Sequence, residues 1–199
     1  MSKRYIPLVI FLLLCSFDLV AQDLGLMQFN EERLQVQKVG MITLGSWALG
    51  NMALNGALLV NPSSSEQAHF YRMNIFWNVV NLGLAIPGLR YSLITDPASL
   101  SLTESAADYH QMGKILMLNV GLDVAYITGG FLMKEMAKTR ENKREILRGY
   151  GRSLILQGGF LLAFDLVLVG ILQSKSPQLD ALLDVVSFNG SSLALTFRF

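Results

Sequence analysis

Long apolar runs alternate with short polar connections along this chain. Four interior runs are each about 20 residues long, which is the helical length needed to cross a hydrocarbon core of about 30 Å. They cover Val39–Val60, Phe70–Leu89, Gly113–Met133 and Ser153–Leu172. A buried helix of a soluble bundle is the alternative for each run, but four such runs in 199 residues favour the membrane. The pattern predicts an all-α membrane protein with a four-transmembrane-helix bundle, in residues 22–172.

A further apolar run at the N-terminus has the layout of a signal peptide. Lys3 and Arg4 precede the run, and Ala21 supplies a small residue at its end. We therefore expect residues 1–21 to be a signal peptide. An uncleaved anchor is one alternative, and a lipoprotein cut before Cys15 is another, which bulky Leu14 disfavours. Because Cys15 is the only cysteine, cleavage would leave a chain without disulfides.

The connection between the third and fourth runs is strongly basic. It holds seven basic residues against three glutamates: Lys134, Lys138, Arg140, Lys143, Arg144, Arg148 and Arg152. Positive charge in a short connection marks the cytoplasmic side, and a signal peptide gives the same orientation. We expect an inner (cytoplasmic) membrane protein with residues 22–38 and 173–199 exposed outside it. The alternative role for this loop is binding of anionic lipid.

Local signals predict where two helices begin and how the chain ends. Ser63 with Glu66, and Ser101 with Glu104, have the spacing of a capping box, so the second and third helices should start after these serines. In the tail 173–199, Asn189-Gly190 separates two β-prone runs and predicts a short C-terminal β-hairpin. The alternating end also resembles the last strand of an outer-membrane barrel, but the rest of the chain offers helical spans.

Polar side chains recur at helical spacing inside the four runs. They comprise Trp47, Asn51 and Asn55; Asn74, Trp77, Asn78 and Asn81; Asn119, Asp123 and Tyr126; and Gln157 and Asp165. Because polar atoms facing lipid are costly, these faces should point at one another, with a small-residue ridge at Gly121, Ala125 and Gly129 allowing close helix approach. The side chains then either bridge helices or line a polar cavity that binds a small molecule, ion or lipid headgroup.

The two mid-span aspartates are the sharpest chemical feature. No Lys or Arg lies at the depth of Asp123, where an ionised carboxylate costs at least about 2.5 kcal/mol. We expect its carboxyl to be largely protonated, or hydrogen-bonded by Asn donors and a Trp N–H. A proton or cation relay through Asp123 and Asp165 is the functional alternative to a structural role.

Composition and motifs exclude several classes of function. The chain is 52% hydrophobic and 16% charged, against about 25% charged for a soluble domain. A net charge of +1 gives no reason to expect nucleic-acid binding. His69 and His110 fall in connections on opposite sides, so we expect no metal site. The sequence carries no catalytic motif, and we expect neither an enzyme nor a cofactor.

The segments "GSWALGN" (Gly45–Asn51) and "MNIFWNVVN" (Met73–Asn81) resemble those of small, uncharacterised bacterial four-span membrane proteins. The resemblance covers most of the mature chain and implies no activity. The sequence favours a structural or envelope-interaction subunit, whose partners would be the bilayer, further copies of itself or an envelope protein. The alternative is a small-solute or proton/cation-coupled carrier. An accessible cavity near Asp123 would favour the carrier, and a tightly packed bundle would favour the subunit.

Overall fold

The computed structural model describes the backbone of residues 6–189 and the side chains of residues 23–184. This part of the chain is helical and contains no strand. The five α-helices are α1 (Ile6–Leu59), α2 (Ser65–Ile94), α3 (Leu102–Met136), α4 (Arg144–Gln173) and α5 (Ser176–Asn189). Short 3₁₀ turns at Pro97–Ser99 and Glu141–Lys143 precede α3 and α4. The predicted all-α class is therefore confirmed for the described residues.

Four long helices form a bundle of two antiparallel hairpins. α1 packs along α2, and α3 packs along α4, because the connections between the members of each pair are short. Packing of α2 against α4 joins the two hairpins, whereas α1 meets α3 and α4 at fewer positions. α2 and α3 do not pack along their lengths in the described residues. A gap between these two helices follows from that arrangement.

The helix starts follow the capping signals closely. Ser64 caps α2 by accepting a hydrogen bond from the Gln67 backbone N–H at 3.3 Å, one residue later than the sequence predicted. Ser101 and Glu104 form the predicted capping box at the start of α3, with both reciprocal bonds present. These bonds satisfy N–H groups that the first helical turn would leave unpaired.

Glycines allow α3 and α4 to approach closely, but they are not the glycines of the predicted ridge. A Cβ on Gly130 would lie 2.6 Å from the Gly151 carbonyl oxygen, and a Cβ on Gly151 would lie 2.6 Å from that of Gly130. By contrast, a Cβ on Gly121 or Gly129 would meet nothing within 4 Å, and Ala125 is exposed. The predicted close-packing role for this ridge is wrong, because α4 lies against the neighbouring face of α3.

The bundle buries polar side chains and exposes apolar ones. Buried polar residues within the four predicted runs are Asn55, Asn74, Asn78, Asn81, Asp123, Ser153, Gln157 and Asp165. Large exposed hydrophobic residues occur on every long helix and include Leu49, Leu54, Phe76, Leu84, Leu118, Leu132, Leu156 and Val167. A protein folded in water normally shows the opposite distribution.

Length and apolar composition allow two stretches of the described residues to cross a membrane. These are Leu102–Met136 and Glu141–Asp184. The sequence predicted four spans, whereas the described parts of α1 and α2 are not apolar enough over a membrane-spanning length. Polar residues such as Asn51, Asn55 and Asn78 lower the mean hydropathy of those two helices.

The segment before Lys38, predicted to be exposed, is instead a packed part of α1. Phe29 and Asn30 are buried, and the Asn30 side chain donates a hydrogen bond to the Pro97 carbonyl at 3.1 Å. Phe29 joins a hydrophobic core cluster at this end of the bundle with Tyr109, Leu116, Leu168, Leu172 and Leu179. The segment is buried because α5 and the Pro97–Ser99 turn cover it.

The predicted C-terminal hairpin is not observed. Residues up to Asn189 continue α5, so the first predicted strand is helical, which shows that tertiary context overrides the local turn signal. Gly190 and the second predicted strand lie outside the described residues, as do residues 1–5. The predicted signal peptide from Ile6 onwards is the first part of the continuous helix α1. Cleavage after Ala21 stays a prediction.

Candidate ligand-binding cavity

A network of buried carboxamides ties three helices together at the centre of the bundle. Asn74 on α2 is fully buried, and its side-chain oxygen accepts hydrogen bonds from Ser153 at 2.8 Å and from Gln157 at 2.9 Å. Its side-chain nitrogen donates to Asn55 on α1 at 3.1 Å. Asn78 donates to the Asn74 carbonyl at 2.7 Å. Every polar atom of the Asn74 side chain therefore has a partner, as burial requires.

The α1 side of this network carries an indole and two further asparagines. Trp47 Nε1 donates to the Gln157 side-chain oxygen at 3.0 Å, and the Trp47 ring stacks on Phe160 with centroids 3.8 Å apart. Asn51 and Asn55 each donate to the backbone carbonyl four residues earlier, at 3.0 and 2.8 Å. The structure thus places six of the candidate residues in one interior cluster. Ser153 belongs to the cluster as well, although its position at the edge of the fourth run gave no sign of it.

A cavity of about 540 Å³ lies beside this network, between α2 and α3, with α1 and α4 behind it. Its walls are mostly apolar and include Leu84 on α2 and Ile115 on α3, whose side chains are exposed at the gap between these helices. The remaining candidate residues line its inner part: Trp77, Asn81, Asn119, Asp123, Tyr126 and Asp165. Asn81 also donates to Asn78 at 3.4 Å, so the carboxamide network adjoins the inner end of the cavity.

A carboxyl pair stands at that inner end. Asp123 and Asp165 are 2% and 4% exposed, and their side chains lie within hydrogen-bonding reach of each other. The Asn119 side chain lies close to the Asp165 carboxyl. Two ionised carboxylates side by side in a buried site repel each other, so we expect the pair to share one proton and to carry one negative charge. The expected hydrogen bond from a Trp N–H is not observed, since Trp77 Nε1 and Asp123 Oδ2 are both buried without a partner among the described residues, and protonation of Asp123 stays a prediction.

Several polar atoms around the cavity lack a hydrogen-bond partner among the described residues. No donor reaches Asp123 Oδ2, and no acceptor reaches Trp77 Nε1. Both atoms are buried and belong to residues that line the inner end. A buried polar atom without a partner costs roughly 1–3 kcal/mol, so these atoms favour occupancy of the cavity by a polar group.

The outer end of the cavity carries charged residues that the sequence did not single out. Arg33 is only 4% exposed, and its Nη2 lies 3.1 Å from Asp108 Oδ2. Tyr91 donates its hydroxyl proton to the same oxygen at 2.7 Å. Gln37 lines this end too, and its side chain donates to the Gly88 carbonyl at 3.3 Å. Arg33, Gln37 and Met41 are spaced four residues apart, which would place them on one helix face. The sequence analysis missed this signal because it began the first helix at Val39.

The basic loop lines another pocket at the opposite end of the bundle. This pocket of about 430 Å³ is lined by Lys134, Lys138, Arg148 and Arg152, together with Glu66, Glu135 and Phe131. Arg152 pairs with Glu66 at 3.1 Å, and Lys138 pairs with Glu135 at 2.7 Å. Arg140, Lys143 and Arg144 lie outside it. The described residues contain no group of three His, Cys, Asp or Glu side chains suited to a metal ion.

Residues 43–166 match the model of a family described as "Family of unknown function (DUF6992)". The chain belongs to this family. The DUF6992 match runs from the middle of α1 into α4 and includes the whole carboxamide network and both carboxyls of the pair. It confirms that the chain falls in an uncharacterised family. No curated protein and no solved structure matches the chain.

Proposed function

We propose that this chain is a polytopic inner-membrane protein that binds a small amphipathic molecule in the cavity between α2 and α3. The cavity with unpartnered polar atoms at its inner end is the observation that carries this proposal. It favours the carrier interpretation of the sequence over a purely structural subunit, because a scaffold has no need of a cavity beside buried carboxyls.

The membrane environment is supported by where the apolar side chains are exposed. Exposed hydrophobic residues fall mainly within Val39–Val60, Phe76–Ile94, Ile115–Leu132 and Leu156–Ile171. At 1.5 Å per residue these bands are between about 23 and about 32 Å long, close to the thickness of a hydrocarbon core. Lipid would cover these side chains on all four helices, whereas in water their apolar surface would stay exposed to solvent.

The charges of the two bundle ends support the proposed orientation. The end formed by the turns before α2 and α4 carries eight Lys/Arg and four Glu in residues 61–72 and 134–152. The other end carries five Lys/Arg and eight Asp/Glu within residues 23–38, 90–114 and 175–184. Positive charge at the first end supports a cytoplasmic location for that end. The cavity reaches the acidic, outer end at Arg33 and Asp108.

The cavity is closed towards the cytoplasmic end by the carboxamide network. Between Asn81 and the cytoplasmic end, the bundle interior is filled by Asn74, Asn78 and Gln157. Each of these side chains is at most 1% exposed. A ligand can therefore reach the carboxyl pair from the outer end or sideways through the gap between α2 and α3. This is the outward-facing arrangement that a small-solute or proton/cation-coupled carrier requires in one half of its cycle.

A photo-crosslinking experiment tests the binding site. The full chain in nanodiscs is exposed to dodecanol bearing a diazirine, and the labelled peptides are mapped by mass spectrometry. We expect labelling of the α2 and α3 segments that line the cavity. Ile115→Trp, which fills the gap, should lower this labelling several-fold, whereas Leu118→Trp on the outer face of α3 should not. Equal labelling of both variants and the parent chain would overturn the proposal.

A homo-oligomeric subunit is the second candidate function. The ridge of Gly121, Ala125 and Gly129 is open and faces away from α4, which is the surface through which small residues bring membrane helices together. Ala125→Cys in a Cys15→Ser background should give a disulfide-linked dimer under mild oxidation if this ridge is an interface. A monomeric product at all protein-to-lipid ratios would contradict it.

A further inference from the structure

We propose that the ligand is a monovalent organic cation with an apolar body, whose charged group binds at the carboxyl pair of Asp123 and Asp165. This inference rests on the proposed function and names the class of molecule that the cavity takes. Three features of the inner end lead to it: its charge, its aromatic side chains and the shape of the cavity.

The charge of the inner end has no cationic partner among the residues whose side chains the structure describes. The pair carries one negative charge when it shares one proton, and no Lys, Arg or His lines the inner part of the cavity. The only cationic residue in the lining is Arg33, which pairs with Asp108. Asp108 and Asp123 are fifteen residues apart on α3, or about 22 Å along the helix. A monovalent cation at the pair would therefore neutralise a buried charge that no cationic side chain within residues 23–184 reaches.

Aromatic rings stand next to the pair. Tyr126 follows Asp123 by about one helical turn, and its ring centroid lies 4.7 Å from that of Trp77, with the planes tilted by 58°. Both rings line the cavity and are only partly buried. Aromatic faces stabilise an organic cation by about 0.5–2 kcal/mol, depending on how far the cation is desolvated. Carboxylate and aromatic groups together favour a substituted ammonium over a small hydrated ion.

The rest of the cavity requires an apolar body. Between the carboxyl pair and the outer ion pair, the walls are largely Leu, Ile, Met and Val side chains, including Leu84, Met112 and Ile115. The gap between α2 and α3 would open into lipid, so the ligand can enter from the bilayer. An anion would meet the negative pair without a counter-charge, and a neutral amphiphile would leave the charge of the pair uncompensated.

Protonation of the pair should control binding. The titratable groups at this site are Asp123, Asp165 and Tyr126; α2 contributes Trp77 and Asn81, which do not titrate, and α1 contributes apolar side chains. Arg33 and Asp108 lie at the far end. A second proton would remove the negative charge of the pair, so acidification should weaken cation binding and leave binding of a neutral amphiphile unchanged.

The experiment compares diazirine-bearing dodecyltrimethylammonium, dodecanol and dodecyl sulfate on the full chain in zwitterionic nanodiscs. We expect the cation to label the cavity peptides at least about tenfold more than dodecanol, which corresponds to about 1.4 kcal/mol. Asp123→Asn and Asp165→Asn should each reduce cation labelling to the level of dodecanol. Asp180→Asn on α5, away from the cavity, should not. Unchanged dodecanol labelling shows that each variant retains the fold.

Cation labelling equal to dodecanol labelling, or unaffected by both aspartate variants, would overturn this inference and leave the proposed function standing. Loss of specific labelling by all three probes would overturn the proposed function itself. Should both variants fail to fold, acidification of the parent chain gives a second measurement. Cation labelling that does not fall on acidification, while dodecanol labelling is constant, would also contradict the inference.

Discussion

At the scale of single residues, the polar side chains inside the bundle divide into two sets. Asn74, Ser153 and Gln157 satisfy one another, and their bonds cross from one helix to another. Trp77 and Asp123 keep an unpartnered atom each, and both line the cavity. Buried polar groups that are fully hydrogen-bonded define the packing of a core, whereas buried polar groups without a partner indicate a site for a bound molecule. The carboxamides therefore stabilise the packing of the helices, and the unpartnered atoms of the cavity support the proposed binding site.

Asn74→Ala should destabilise the protein more than any neighbouring truncation on α2. The change removes the acceptor of Ser153 and Gln157 and the donor to Asn55, and leaves those groups buried without partners. We expect a loss of roughly 1–3 kcal/mol in the free energy of unfolding. Unfolding in mixed micelles with increasing SDS measures it. Val79→Ala, on the exposed face of the same helix, is the control. Equal stability of the two variants would contradict the network's structural role.

At the scale of helices, the approach of α3 to α4 depends on two glycines. Gly151→Ala should push the helices apart, since the new Cβ would lie 2.6 Å from the Gly130 carbonyl oxygen. We expect a destabilisation of about 1–3 kcal/mol. Gly121→Ala on the open face of α3 should be neutral or stabilising by up to about 1 kcal/mol, because alanine favours a helix. Thermal unfolding in detergent distinguishes them, and a lower Tm for Gly121→Ala than for Gly151→Ala would refute the assigned packing.

An ion pair ties α1 to the junction of α4 and α5 and gives this contact a pH dependence. Hydrogen bonds from Lys175 and Gln28 lower the pKa of Glu32 below its ordinary value of 4.5. A carboxyl whose pKa is lowered by folding contributes stability above its ordinary value, and this is lost as the pH falls through the lowered one. Acid below about pH 4.5 should therefore loosen α5.

Amide hydrogen exchange in α5 measures this effect. The parent chain should lose protection on acidification, and Glu32→Gln should show reduced protection already at neutral pH. Glu31→Gln, an exposed neighbour, should behave like the parent chain. Retained protection of α5 in Glu32→Gln at neutral pH would show that the ion pair does not hold the helix.

At the scale of the whole molecule, the sequence predicted which residues turn inwards better than it predicted how the helices meet. Spacing alone placed Asn74 and Asn78 on one face, because helical periodicity is local. It could not show the gap between α2 and α3, which depends on the packing of helices distant in sequence. Burial of Arg33 was missed because its partner, Asp108, lies 75 residues away. The first strand of the predicted hairpin was wrong because Asn189-Gly190 is only a local turn signal. The residues before it, up to Asn189, belong to α5 instead.

The orientation of the whole bundle can be tested with single cysteines in a Cys15→Ser background. Lys143→Cys lies at the basic end and Ala98→Cys at the acidic end, and both positions are exposed. Because the basic end should face the cytoplasm, a membrane-impermeant maleimide added to intact cells should label Ala98→Cys and leave Lys143→Cys unmodified until the cells are lysed. The carboxyl pair would then bind ligands from the outer side. The reverse labelling would invert the bundle and place the cavity mouth in the cytoplasm, and recovery of both variants in the soluble fraction without detergent would refute the membrane assignment.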